Sequence, residues 1–274
     1  MSKRILTYNG INLSTFNAHV SGEGAWAKPA PEYERISVPG RSGDVLLYNG
    51  RYSNVDITYR FGITNNFDTN YTNLIAALLG SPGYHKLVDS KHPGVYRMAA
   101  VDKGIAPAMS DQQSVGELEV TFNCRPQTYL DEGDEVASTW DSAFWQTNYL
   151  QNPTDYEAKP LIKVTTQTHQ PGAFMVGMLW RDSGNNLIDQ TRLDFKGLTT
   201  GTITGQVIYD SATGDVYDSA GKSLNSYARL YNTNTNLYMD ACIPGKTRFQ
   251  AWVQAGDSRS EVSMVEIVPR WWRL

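Results

Sequence analysis

A mainly β chain of two domains is what this sequence predicts, and three observations predict it. Apolar residues recur with period two along most of the chain, the pattern of strands with one face buried. A single segment shows helical spacing instead. An acidic run with a glycine, Asp131-Glu132-Gly133-Asp134-Glu135, divides the 274 residues into halves each long enough to close a core.

Taken in order, Val45, Leu46, Leu47 and Tyr48 read as a strand. It meets a second strand across Asn49-Gly50, where Val55, Ile57, Tyr59 and Phe61 point one way and Asp56, Thr58 and Arg60 the other. Asn-Gly accepts positive φ at low steric cost, so this pair is expected to be a hairpin. Phe67, Tyr71, Leu74, Ile75, Leu78 and Leu79 then fall at helical spacing. Asn66 or Asp68 can cap the start, and Gly80 followed by Pro82 ends the run. The stripe is expected to cover a sheet face or an open edge. Leu118, Val120 and Phe122 alternate with Glu119 and Thr121, a further half-buried strand.

The acidic run suits an exposed connection, which sets the expected domains at 1–133 and 134–274. Beyond it short strands follow at regular spacing: 161–164, 174–179, 187–194, 202–209, 216–217, 248–253 and 262–268, with Gly, Asn and Asp between them, as in Asp182-Ser183-Gly184-Asn185-Asn186. That spacing points to a β-sandwich or barrel. The chain ends on Pro269-Arg270-Trp271-Trp272-Arg273-Leu274. Chain ends are usually small and polar, so two adjacent tryptophans predict a tail that docks on the protein or on a neighbouring subunit.

Composition narrows the function. Hydrophobic residues make up 41% and charged residues 19%, which argues against disorder. A formal net charge of −4 supplies no basic footprint for sequence-specific nucleic-acid binding or for an anionic membrane. No stretch nears the roughly 20 apolar residues of a bilayer span, and the first residues do not resemble a signal peptide. The two cysteines, Cys124 and Cys242, are too few for a metal site and read as small buried hydrophobes.

Motifs for chemistry are weak. Gly221-Lys222-Ser223 imitates the end of a phosphate-binding loop, but the first glycine would have to stand at Val216, so it reads as a turn. His85, Asp89 and His92 can be drawn as a metal set, yet no carboxylate pair completes it and hydrogen-bonded structural histidines are the simpler reading. Asp210, Gly214, Asp215 and Asp218 lack the alternating acids of a calcium loop and suit a hairpin turn. No nucleophile elbow occurs. The expectation is a protein that is not an enzyme and takes no cofactor or metal.

Several short motifs nevertheless stand in one collinear order: Pro39-Gly40-Arg41-Ser42-Gly43-Asp44, then Asn49-Gly50-Arg51-Tyr52-Ser53-Asn54-Val55, Gly83-Tyr84-His85-Lys86-Leu87 and His92-Pro93-Gly94-Val95-Tyr96-Arg97-Met98-Ala99. Phe122-Asn123-Cys124-Arg125-Pro126-Gln127, Asn152-Pro153-Thr154, Ala158-Lys159-Pro160-Leu161-Ile162-Lys163 and the double-tryptophan tail complete the series. In this order the chain resembles the distal tail protein (Dit) family of long-tailed bacteriophages and prophages of Gram-positive hosts. The resemblance implies an N-terminal β-sandwich with one helix and a hairpin, which builds a hexameric ring, and a C-terminal galectin-like β-sandwich. It also implies a structural role as baseplate hub of the virion, assembled in the host cytoplasm. There it would join the major tail tube protein to the tail-associated protein and to receptor-binding or adaptor proteins. A dimer of hexamers is a further form open to the isolated protein.

A closed ring needs one patch meeting a different patch on the next copy. The Pro- and Gly-rich region from Gly22 to Gly43 reads as an arm for such contact, and an acidic ring would let DNA pass without sticking. Arg41 and Arg51 are turn-flanking residues solvated at the surface or paired with a nearby Asp44, or else bridges between subunits. Trp271 and Trp272 are expected to anchor the tail in the protomer, with the last eight or so residues packing on the first domain as the family suggests. A second reading is a carbohydrate-binding module that contacts the host surface, with Trp180, Trp252 and Tyr238 as candidate stacking platforms.

Overall fold

The computed structural model describes residues 4–21, 26–109, 114–141, 148–166, 174–181, 184–198, 203, 205–232, 243, 245, 248–255 and 262–274. The described residues are mainly strand with one α-helix. They divide into two compact units, Met1–Tyr129 with Leu274, and Leu130–Arg273.

In the first unit the strands are β1 (Leu6–Tyr8), β2 (Ile11–Asn12), β3 (Ala18–Ser21), β4 (Pro31–Ile36), β5 (Val45–Tyr52), β6 (Val55–Thr64), β7 (His85–Asp89), β8 (Val95–Ala100), β9 (Pro107–Met109) and β10 (Val115–Leu130), with α1 (Phe67–Leu79) after β6. The sheet runs β2-β1-β7-β8-β10-β6-β3, and β9 pairs with β10 as well. β6 and β10 are antiparallel over ten residues, from Val115 opposite Thr64 to Cys124 opposite Val55. Their alternation is the one the sequence shows: Ile57, Tyr59, Phe61 and Ile63 are buried with Leu118, Val120 and Phe122, while Asp56, Thr58 and Arg60 face outward. Outside, Thr58 shares a hydrogen bond with Thr121 at 2.9 Å, and Arg60 pairs with Glu119. Leu6 and Tyr8 of β1 lie in the same core as Ala18 of β3, although those strands stand near opposite ends of the order. A sheet brings such strands to one core by curling on itself.

The helix starts and ends where its spacing predicts, with Phe67, Leu74 and Leu78 buried in that core and Leu79 exposed. Asn66 takes the N-cap position in a left-handed conformation, but its side chain makes no capping bond, and Asp68 serves the first turn by charge. The expected Asn49-Gly50 hairpin is corrected. β5 runs straight through these residues and pairs with β4, whereas β6 pairs with β10 and β3. The positive φ of Gly50 (75°) is spent on a bulge: Pro31 stands opposite Tyr52 and Tyr33 opposite Tyr48, so β5 carries extra residues there.

The second unit is built from β11 (Ser138–Asp141), β12 (Asn148–Gln151), β13 (Leu161–Thr166), β14 (Phe174–Arg181), β15 (Leu187–Phe195), β16 (Gln206–Asp210), β17 (Asp215–Asp218), β18 (Ala228–Asn232), β19 (Arg248–Ala255) and β20 (Val262–Val268), followed by the short β21 (Trp272–Arg273). Two five-stranded sheets result, β11-β20-β13-β16-β17 and β12-β19-β14-β15-β18. Ile162, Val164, Val207, Val265 and Ile267 from one sheet share a core with Leu150, Val176, Leu193 and Phe195 from the other, the packing of a β-sandwich. The Asn152-Pro153-Thr154 motif is a polar knot beside that core. Asn152 Oδ1 accepts from the Thr154 amide at 2.9 Å, and its Nδ2 donates to the carbonyls of Tyr156 at 2.9 Å and Ile243 at 3.2 Å.

Glu132, Asp134 and Glu135 of the acidic connection are exposed and Asp131 is half-buried, while the glycine between them is not. Asp131–Gly133 form a 3-10 turn, and Gly133 is buried with a Cβ position 2.4 Å from the Trp271 amide nitrogen, a space that only glycine leaves open. Cys124 is buried, which pushes its thiol pKa up to about 12, while Cys242 lies outside the described residues.

Candidate assembly surface

The two-stranded ribbon β4–β5 and its link gather exposed apolar side chains in one place. Tyr33, Ile36, Val38, Leu46, Leu47 and Tyr48 all stand exposed, Leu46 and Leu47 by more than half. Pairing places Tyr33 opposite Tyr48 and Arg35 opposite Leu46 on one side, Glu34 opposite Leu47 and Ile36 opposite Val45 on the other. Apolar groups thus occupy both faces. The Tyr33 and Tyr48 rings lie 5.6 Å apart between centroids. A lone two-stranded ribbon is marginal in water, and a ribbon that exposes leucines on both faces is stabilised by covering them.

Of the residues singled out in the sequence, Arg41 and Asp44 lie exposed in the link between β4 and β5, with the Arg41 amide donating to the Val38 carbonyl at 3.1 Å. Arg51 pairs across the ribbon with Glu32, not near Asp44, in a two-pronged contact that includes Nη2 to Oε1 at 3.0 Å. The hydrogen bond from Arg51 holds the Glu32 carboxyl below its ordinary range. An exposed pair of this kind adds little stability, so it stiffens the ribbon more than it fastens it.

Trp271 and Trp272 are placed separately. Trp271 is 5% exposed in the core of the second unit, and its carbonyl accepts from the Leu130 amide at 2.9 Å. Trp272 stacks on Tyr156 with centroids 4.6 Å apart and donates Nε1 to the Glu157 carbonyl at 2.7 Å. These partners all belong to the second unit. Beside them Arg270 reaches Asp210 with Nη1 to Oδ1 at 2.6 Å and Nη2 to Oδ2 at 2.9 Å.

The residues drawn as metal or phosphate candidates have other duties. His85 Nε2 lies 3.0 Å from the Ser81 carbonyl, Asp89 is buried against Arg4, and His92 stacks on Trp26. Asp210 opens the β16–β17 turn by accepting from the Gly214 amide, and Asp218 accepts from the amides of Ala220 and Lys222, which folds Gly221-Lys222-Ser223 into a turn. Among the described residues no cluster of three potential metal ligands occurs. Among the same residues no helix is long and apolar enough to cross a membrane. The side chains of Trp180 and Trp252, and all of Tyr238, lie outside the described residues, as do 22–25 of the expected arm.

No protein-family model matches the chain, and no curated protein matches it. Solved structures do match. The Dit (gp 19.1) protein of phage SPP1, described as a paradigm of the hub adsorption apparatus in Gram-positive infecting phages, superposes with a TM-score of 0.62 over 100% of both chains at 12% identity. A chain of the phage P2 baseplate in its activated conformation with Ca matches with a TM-score of 0.54 over 97% of each chain at 10% identity. The same baseplate with Sr matches with a TM-score of 0.50. The chain therefore shares, end to end, the mainly β, multi-domain fold of a phage hub protein.

Proposed function

We propose that this protein is a structural component of a phage tail tip: a Dit-like hub whose first unit closes into a hexameric ring. The observation that carries this reading is the likeness to the SPP1 hub protein over the whole of both chains, both units included. The exposed ribbon supports it, because a surface with leucines on both faces is suited to a neighbouring copy. In this role Arg41 and Asp44, exposed at the ribbon's far end, contribute to the contact between copies, while Trp271 and Trp272 keep the tail docked in each protomer. The ring joins the tail tube to the tail-associated protein and carries receptor-binding or adaptor proteins in the virion. Its work is mechanical, and no bond-making chemistry is assigned to it. Negative-stain imaging of the purified protein tests the reading: a six-fold annulus with a central hole is expected. A species that stays monomeric at micromolar concentration, alone and beside its tube protein, overturns it.

A further inference from the structure

Trp26 precedes β4 by five residues and packs, half-buried, on the first core. Its indole Nε1 donates to Tyr59 Oη at 2.8 Å, and Tyr59 donates in turn to Asp89 Oδ2 at 3.0 Å. Asp89 is fully buried and also accepts from Arg4 Nε and from the Lys91 amide, both at 3.0 Å. Arg97, likewise 0% exposed, donates Nη2 to the Ala27 carbonyl at 3.0 Å, and its guanidinium carbon lies 5.4 Å from the Trp26 ring centroid. His92, in the turn between β7 and β8, stacks on the indole with centroids 4.4 Å apart and planes 23° from parallel.

Groups from β6, β8 and the β7–β8 turn therefore meet residues 26 and 27, with Asp89 of β7 and Arg4, just ahead of β1, behind them. What they hold is one root of the apolar ribbon. The Ser53 amide donates to the Ala30 carbonyl at 3.1 Å, and Pro31 pairs with Tyr52, so the ribbon closes three residues beyond Ala27. Its other root runs through Ser53 and Asn54 into β6, the strand that carries Tyr59. Swinging the ribbon about Ser53 and Asn54 pulls on Trp26.

We propose that Trp26 is a latch that sets the aim of the β4–β5 ribbon, and that protonation of His92 releases it. The imidazole stacks on the indole, and among the described residues the charges of Arg4, Lys91 and Arg97 act on it against that of Asp89. Arg97 Nε and Nη1 have no hydrogen-bond partner, so a second cation on the half-buried His92 beside this buried guanidinium is poorly compensated. Burial, opposed by Asp89 and aided by the three cations, lowers the His92 pKa from 6.5. A base whose pKa falls on folding binds more protons when unseated. The latch is therefore intact above about pH 6.5 and weakens as the pH drops through the lowered value.

The latch stands on the geometry of the protomer, and only its consequence for assembly rests on the ring reading. Hydrogen exchange of the full chain, corrected for intrinsic rates, is compared at about pH 8 and about pH 5. Exchange over 27–36 and 45–53 is expected to rise roughly three- to tenfold in acid, the scale of a lost aromatic stack, with 55–64 unchanged. His92→Phe, which stacks without titrating, should abolish the acid response. Trp26→Phe, which keeps a ring but loses the donor, should already raise exchange at the higher pH. An acid response equal in wild type and His92→Phe, or none in wild type, overturns the latch. Sedimentation of the same samples, alone and with the tube protein, separates the two ideas: a species monomeric in both whose ribbon loosens in acid supports the latch and removes the ring.

Discussion

Arg270 sits in a left-handed backbone conformation, φ 56°, which costs a residue with a Cβ about 1 kcal/mol or more. Its amide donates to the Gly133 carbonyl and its guanidinium grips Asp210, so the strain is held by two contacts that aim Trp271 into the core. Burial opposes ionisation of Asp210, but the Arg270 hydrogen bonds and charge prevail and lower its pKa below 3.8. An acid with a lowered folded value contributes stability that is present above the unfolded pKa and is lost as pH falls through the folded one. Arg270→Ala is expected to cost the second unit roughly 1–3 kcal/mol at neutral pH, because a partly buried carboxylate loses its partner. The cost should shrink towards pH 3, which urea unfolding at several pH values would show; a pH-independent loss would mean that Arg270 acts only through its backbone. Trp271→Ala removes the large side chain itself and should cost about 3–5 kcal/mol in the same measurement. A change under about 1 kcal/mol would place Trp271 outside the working core.

Among elements, the ribbon is where sequence and structure parted. Asn49-Gly50 has the residues of a tight turn, yet Gly50 serves a bulge inside β5, and the true link between the strands runs through Arg41 to Asp44. A positive-φ glycine announces its conformation but not whether the chain reverses there, since bulges and turns ask the same of it. The helix was legible because its apolar spacing, its start at Phe67 and the stop at Gly80 are all local signals. Arg51 shows the limit from the other side: its partner, Glu32, lies on a strand that no alternation marked. The ribbon's exposed leucines make a direct prediction. Leu47→Glu adds a charge to a surface that is already wet in the protomer, so the thermal midpoint of the dissociated subunit should move by no more than a few degrees. Closing the proposed ring through the ribbon would desolvate that charge, and on that reading the hexamer fraction in sedimentation should fall at least tenfold. Intact rings from Leu47→Glu would move the interface elsewhere.

Across the whole molecule, a fold shared at 12% identity rests on pattern and not on particular residues. Alternating burial in β6, β10, β13 and β16 survives any exchange of one apolar residue for another, which is why the two-unit β architecture could be read directly. The network of Arg4, Tyr59, Asp89, Arg97 and Trp26 could not, because its members lie 30 to 85 residues apart in the bonds they make and no local signal couples them. The two cores imply independence. Leu6 through Cys124 close one cluster, and Leu150 through Trp271 another. Cut after Tyr129, each piece keeps its complete core, so residues 1–129 and 130–274 should each unfold cooperatively by calorimetry. The exposed ribbon belongs to the first piece alone. On the proposed ring reading, fragment 1–129 is therefore expected to close into rings while fragment 130–274 sediments as a monomer. Rings formed by the second fragment and not by the first would shift the assembly surface to the sandwich and leave the ribbon's exposed leucines without a role.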